Sequence, residues 1–115
     1  MRHQKSRPTL DRKAAPRNAM LRSLANSVVL LGRVQTTVAK VKAVQPIVER
    51  AITTAKTTTL TSRRTLHQTF TDIAVKKLLT ELGPKYKDRK GGYTRRILAH
   101  QRQGDRAQMA ILEFV

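Results

Sequence analysis

The sequence predicts an α/β (α+β) fold. It is read as a two-layer single domain over residues 1–115, with a small mixed sheet ending in a C-terminal β-hairpin, packed against about four helices behind a basic N-terminal arm over 1–15. Three observations predict it. Apolar residues recur at helical spacing in several stretches, alternating runs lie near the middle and at the C-terminal end, and the first fifteen residues hold almost no apolar content. With 115 residues and 39% hydrophobic content, the chain has enough apolar matter for one modest core and not for two.

In the arm, Leu10 is the only large apolar residue after Met1, while Arg2, Lys5, Arg7, Arg12 and Lys13 carry charge, so nothing there anchors a fold by itself. Pro16 suits the first turn of a helix. Met20, Leu21, Leu24, Val28 and Leu31 follow at helical spacing, with Arg17 and Arg22 on the opposite face, and Gly32 ends the helix. Arg33 to Thr37 alternates and is partly β-branched, which predicts a short strand with Thr37 as cap of the next element.

A long helix follows, its stripe formed by Val41, Val44, Val48, Ala51, Ile52 and Ala55. Pro46 interrupts that pattern and predicts a kink or break near Gln45. The Thr-rich run 57–61 reads as a connector before a short helix around Ser62 to Thr69. Thr71 and Asp72 open the next helix, whose apolar face is Val75, Leu78, Leu79 and Leu82, and Gly83-Pro84 is expected to stop it. Lys85 to Gly92 is too polar for the core and reads as an exposed basic loop. Two strand-like runs, Tyr93 to His100 and Ala107 to Phe114, joined across Gly104-Asp105, predict a hairpin with a loop longer than two residues.

Function begins with charge. Twenty-four Lys and Arg oppose seven Asp and Glu, a formal +17, and these cations run along the whole chain rather than along one tail. Such self-repulsion calls for a polyanionic companion, and nucleic acid fits best. No window approaches eighteen uninterrupted apolar residues, and no apolar stretch of the kind a secretory signal needs follows Met1, so a soluble protein not exported by that route is expected. Without Cys, thiolate chemistry and a zinc ribbon are excluded, and a reducing compartment is compatible.

Nothing in the chain reads as catalytic. The acids Asp11, Glu49, Asp72, Glu81, Asp88, Asp105 and Glu113 are scattered, and each has a structural explanation: Asp72 starts a helix, Asp105 suits a turn, Glu49 and Glu81 sit on solvated faces. His3, His67 and His100 lack ligand spacing, so neither metal nor cofactor is expected. Gly91-Gly92 lacks the Walker lysine and the dinucleotide-binding spacing; two glycines there let backbone approach a sugar–phosphate chain while Arg89, Lys90 and Arg95 neutralise phosphates. Arg102 in the hairpin belongs to the same basic set. Arg95 and Arg96 should point to opposite faces of their strand. With four aromatics, Phe70, Tyr86, Tyr93 and Phe114, a base-stacking platform is not supported, and recognition of folded RNA by shape and phosphate is the stronger expectation. An architectural DNA-binding protein of nucleoid type is the alternative that charge alone allows. Membrane-surface binding is disfavoured because the apolar stripes look committed to a core.

Specific runs go further. Met1-Arg2-His3, Arg17 with Ala19-Met20, Gln35-Thr36-Thr37 with Lys40 and Lys42, Ile52-Thr53-Thr54-Ala55-Lys56, Arg63-Arg64, Gly91-Gly92-Tyr93-Thr94-Arg95, Gly104-Asp105 and a closing Met-Ala-Ile-Leu-Glu-Phe strand occur in this order. In that order they resemble the bacterial large-subunit ribosomal protein L-seventeen family, over essentially the whole chain. The resemblance implies a two-layer fold bound to large-subunit rRNA near the exit of the peptide tunnel, in contact with neighbouring ribosomal proteins, including those numbered twenty-two and thirty-two. It implies RNA contacts at Arg2, His3, Lys5, Arg17, Thr36, Thr37, Lys40, Lys42, Lys56, Arg63, Arg64, Gly92, Tyr93, Thr94 and Arg95, and no catalytic role. Charge adds Arg7, Arg12, Lys13, Arg22, Arg89 and Arg102, and close backbone approach adds Gly91. Two departures from the family pattern raise the positive charge: Ala43 where an acid is usual after Lys-x-Lys, and Arg96 where an apolar residue usually follows Tyr-Thr-Arg. Pro16, in place of a polar residue, fits a helix start.

Overall fold

The structure is a computed structural model and describes residues 9–115. Helix α1 (Ala14–Leu31) starts two residues before Pro16, so the expected arm is shorter at its inner end. Ala14 and Ala15 are strong helix formers, and the N–H that Pro16 lacks falls in the first turn, where no intrahelical acceptor exists. At the other end Gly32 adopts φ 82° and donates its N–H to the Val28 carbonyl, turning the chain sharply into strand β1 (Arg33–Thr37). That turn carries Leu31 past the core, leaving it 74% exposed, and the packing face of α1 runs instead through Ala25, Val28 and Val29.

Helix α2 (Val38–Ala55) is the centre of the molecule, and its six buried residues are the six of the expected stripe. Pro46 does not break it. The proline lies on the exposed side, and the carbonyl it deprives of a donor belongs to exposed Lys42, where water can serve. Thr37 occupies the cap position of α2 without a side-chain capping bond; the Val38 N–H is bonded to the Gln108 carbonyl instead. Helix α3 (Leu60–His67) begins earlier than its Thr-rich approach suggests, because the Thr59 hydroxyl accepts from the Ser62 N–H. Thr71 does the same for helix α4 (Asp72–Lys77), accepting from Ala74. Asn26 of α1 bonds to the Thr69 carbonyl and the Thr71 N–H, tying this corner to the first helix.

Gly83 and Pro84 do not stop the fourth helix. It continues through a π-helical turn (Leu78–Leu82), in which Gly83 N–H reaches the Leu78 carbonyl, into a last turn, α5 (Gly83–Lys85). The wider turn accommodates a proline that has no N–H to give. Gly83 is there for closeness rather than for turning: its φ is −56°, and a Cβ on it would stand 2.6 Å from the Ala55 carbonyl oxygen of α2.

Strands β2 (Thr94–Leu98) and β3 (Met109–Phe114) form the expected hairpin, and β3 lies between β1 and β2. The sheet is therefore not mixed. Both partners run antiparallel to β3, with Arg33 opposite Glu113 and Thr94 opposite Phe114, and the central position of β3 keeps the co-directional β1 and β2 from pairing. Ala110 and Leu112 point at the helices and are buried; Ile111 and Glu113 lie on the other face. Tyr86 fastens the C-terminal end, donating its hydroxyl to the Val115 carbonyl at 2.7 Å and packing near Tyr93 and Phe114.

Gly83→Ala drives a methyl group into backbone that has no soft direction in which to yield. An expected loss of about 1–3 kcal/mol follows from such overpacking and is read by urea unfolding; an unchanged midpoint would contradict the close approach of α5 to α2.

Candidate nucleic-acid interface

The cations of α1 and α2 meet across a groove of ≈ 680 Å³ whose third side is α3 and the turn after it. Helical spacing explains the meeting. Ala43, the pair Pro46 and Ile47, Arg50 and Thr54 are spaced three or four residues apart along α2, as Arg17, Leu21 and Asn18, Arg22 are along α1. Arg17, Arg22, Lys42 and Arg50 all border the groove, and no acid lines it. Among the described residues, none of the four is paired with a carboxylate. A concave surface lined by one sign of charge concentrates its field, so an anion is attracted here more strongly than to the same charges spread over a convex face.

Arg17, Arg22 and Lys42 were expected contacts. Arg50 is not among the expected contacts, although its place four residues after Pro46 and seven after Ala43 marks it as a member of this face.

The second basic feature is the segment from Lys85 to Tyr93, and its anchor is Glu49. Far from being a solvated-face acid, Glu49 is half-buried and accepts from the Tyr93 N–H at 3.2 Å, the Thr94 N–H at 3.0 Å and the Thr94 hydroxyl at 2.6 Å. Gln45 donates to the Thr94 hydroxyl at 3.1 Å and accepts from Arg96 at 3.5 Å, which places Arg96 on the helix side of the sheet. Lys56 donates to the Arg89 carbonyl and lies 4.7 Å from the centre of the Tyr93 ring. Arg89 itself bonds the Gly92 carbonyl at 3.0 Å. The loop is thus held at its base from α2, while Lys87 and Lys90 remain exposed and Gly91 and Gly92 have open space on their Cβ sides.

This anchoring turns the side chains of two expected contacts inward. Tyr93 is 1% and Thr94 7% exposed, and their side-chain hydroxyls are bonded within the protein. The Lys56 ammonium, and after it the Thr53 hydroxyl, lower the Tyr93 hydroxyl pKa below its ordinary value against the opposing effect of burial.

The remaining expected residues are dispersed. Arg12, Lys13, Arg63 and Arg64 are exposed, and Thr36, Thr37 and Lys40 are half-buried along β1 and the first turn of α2. Arg95 lies on the outer sheet face, where it and Arg33 flank the Glu113 carboxylate at 2.7 and 3.6 Å, and Arg102 is paired with Asp105 at 2.6 Å in the hairpin loop. None of these lines the groove. Arg2, His3, Lys5 and Arg7 lie outside the described residues.

Two outcomes follow from these contacts. Glu49→Gln sets an amide NH₂ against backbone donors; a loss of about 2 kcal/mol is expected, with faster amide exchange at Tyr93 and Thr94, and unchanged exchange would remove Glu49 as the anchor. Asp105 is held down at about 2 by Arg102 first and the Ala107 N–H second, so its contribution is complete above the ordinary 3.8 and lost as pH falls through about 2. In Arg102→Ala its carboxyl titration, followed by NMR, should move up toward 3.8.

A family model described as Ribosomal protein L17 matches residues 20–115. A protein named large ribosomal subunit protein bL17 from Solibacter usitatus (strain Ellin6076) is 47% identical, with 100% of this chain and 77% of that protein covered. One of the same name from Hydrogenobaculum sp. (strain Y04AAS1) is 44% identical over 100% of this chain and 99% of its own length. With a family model over residues 20–115 and relatives 44–47% identical across the whole of it, the chain belongs to the ribosomal protein L17 family.

Proposed function

We propose that this protein is a structural constituent of the large ribosomal subunit that binds and stabilises large-subunit rRNA. The observation that carries this reading is the groove between α1 and α2, bordered by four cations and no acid, in a chain whose relatives are named as large-subunit proteins. The family is a structural, non-enzymatic one, and the chain is not an enzyme. Its physical task is to neutralise phosphate repulsion so that RNA helices rest against one another in a fixed arrangement. The groove and the exposed cations of the loop after α5 supply the rigid part of the contact. The basic arm before α1 extends it.

The same reading puts the protein near the polypeptide tunnel exit, beside the ribosomal proteins numbered twenty-two and thirty-two, in the cytoplasm or in an organelle whose ribosomes are of bacterial type. The uncovered outer face of the sheet, with Ile97 and Ile111 between Arg33, Arg95 and Glu113, is surface suited to a protein neighbour.

Counterion release supplies the test. If about four phosphates are neutralised in the groove, log K for an rRNA fragment falls against log salt with a slope of roughly −3 to −4, and Arg50→Ala makes that slope shallower by about one. A salt-independent affinity rejects phosphate contact. Duplex DNA competing as well as folded rRNA would favour the nucleoid reading, and release from large subunits at a low-salt wash, without rRNA cross-links, would count against a ribosomal place.

A further inference from the structure

The groove holds more than its charges need. Part of its lining is apolar: Leu21, Ala43, Pro46, Ile47 and Phe70 all border it. A paired RNA stem presents phosphates and sugars, which satisfy the cations at the rim and leave such a lining wet. The volume of ≈ 680 Å³ lies within the roughly 300–1,000 Å³ typical of pockets that enclose a small molecule.

We propose that this groove receives a single unpaired nucleotide of the bound RNA, with its base laid on the apolar lining and its flanking phosphates held by Arg17, Arg22, Lys42 and Arg50. The inference rests on the rRNA-binding reading above and names the element recognised. Charge selects the occupant. The protein's own arm carries Arg2, Lys5 and Arg7 and no acid before Asp11, so the rim repels it, whereas a nucleotide brings both an anion and a flat apolar face. Asn18 and Thr54, which also line the groove, offer hydrogen-bonding groups to the edge of a base. Phe70 is 5% exposed, so little of its ring is left to meet the base, and the aliphatic lining does the rest. The site therefore demands that the base be unpaired, with little preference as to which base it is.

The test uses the full chain and two RNA hairpins of one stem sequence, one fully paired and one with a single bulged adenosine, with binding followed by fluorescence anisotropy at fixed salt. The bulged hairpin is expected to bind roughly tenfold more tightly, the order that burial of one base supplies. Ala43→Leu enlarges a lining residue of the groove without changing its charge. It should abolish that preference, so that the bulged hairpin binds no more tightly than the paired one. Thr54→Leu serves the same purpose should the first variant lose its helical circular dichroism. Equal binding of both hairpins by the unaltered protein, or a preference that survives both fillings, overturns the inference and leaves rRNA binding standing. Failure to bind either hairpin overturns the rRNA-binding reading itself.

Discussion

Everything in this fold leans on the buried side of α2. Val41, Val44, Val48, Ala51, Ile52 and Ala55 are withdrawn from water by α1 on one side, the sheet on another and the α4–α5 run at the far end. Each fully buried valine or isoleucine is worth about 1.5–3 kcal/mol relative to exposure, so this stripe supplies a large share of what holds so charged a chain together. The same helix turns its other side outward with Lys42, Arg50 and the exposed Pro46. One element thus builds the core and presents the cationic surface, and a change in its rotation about its axis would spoil both.

Three of the seven acids have a structural task. Glu49 fastens the glycine loop to α2, Glu113 sits between two arginines on the outer sheet face, and Asp105 closes the hairpin turn. The exposed pairs among these add little to stability. Their positions matter more for what they leave bare. With those carboxylates committed elsewhere, the four cations that border the groove have no acid beside them among its lining residues, and Lys87 and Lys90 stay exposed on the loop.

Glu49 also changes what the glycine motif means. Read along the chain, Gly91 to Arg95 looks like one continuous contact surface. In three dimensions Tyr93 and Thr94 face inward: Tyr93 packs against Tyr86, and Thr94 is bonded to Glu49 and Gln45. The motif is a hinge between surface and core, exposing the glycines because it buries the tyrosine.

Local spacing by itself determined the α2 stripe, the extent of β1, the C-terminal hairpin and the stop at Gly32, since each depends on a period or a backbone conformation confined to a few neighbouring residues. The net charge, likewise, named the class of partner. Only the tertiary structure decided that Gly83 continues a helix, because the reason for the glycine is the Ala55 carbonyl twenty-eight residues away. It decided as well that β3 lies in the centre of an antiparallel sheet, that Tyr93 is core, and that Arg50 joins Arg17, Arg22 and Lys42 around one groove. These are facts about which distant surfaces meet, and no pattern along a single segment carries them.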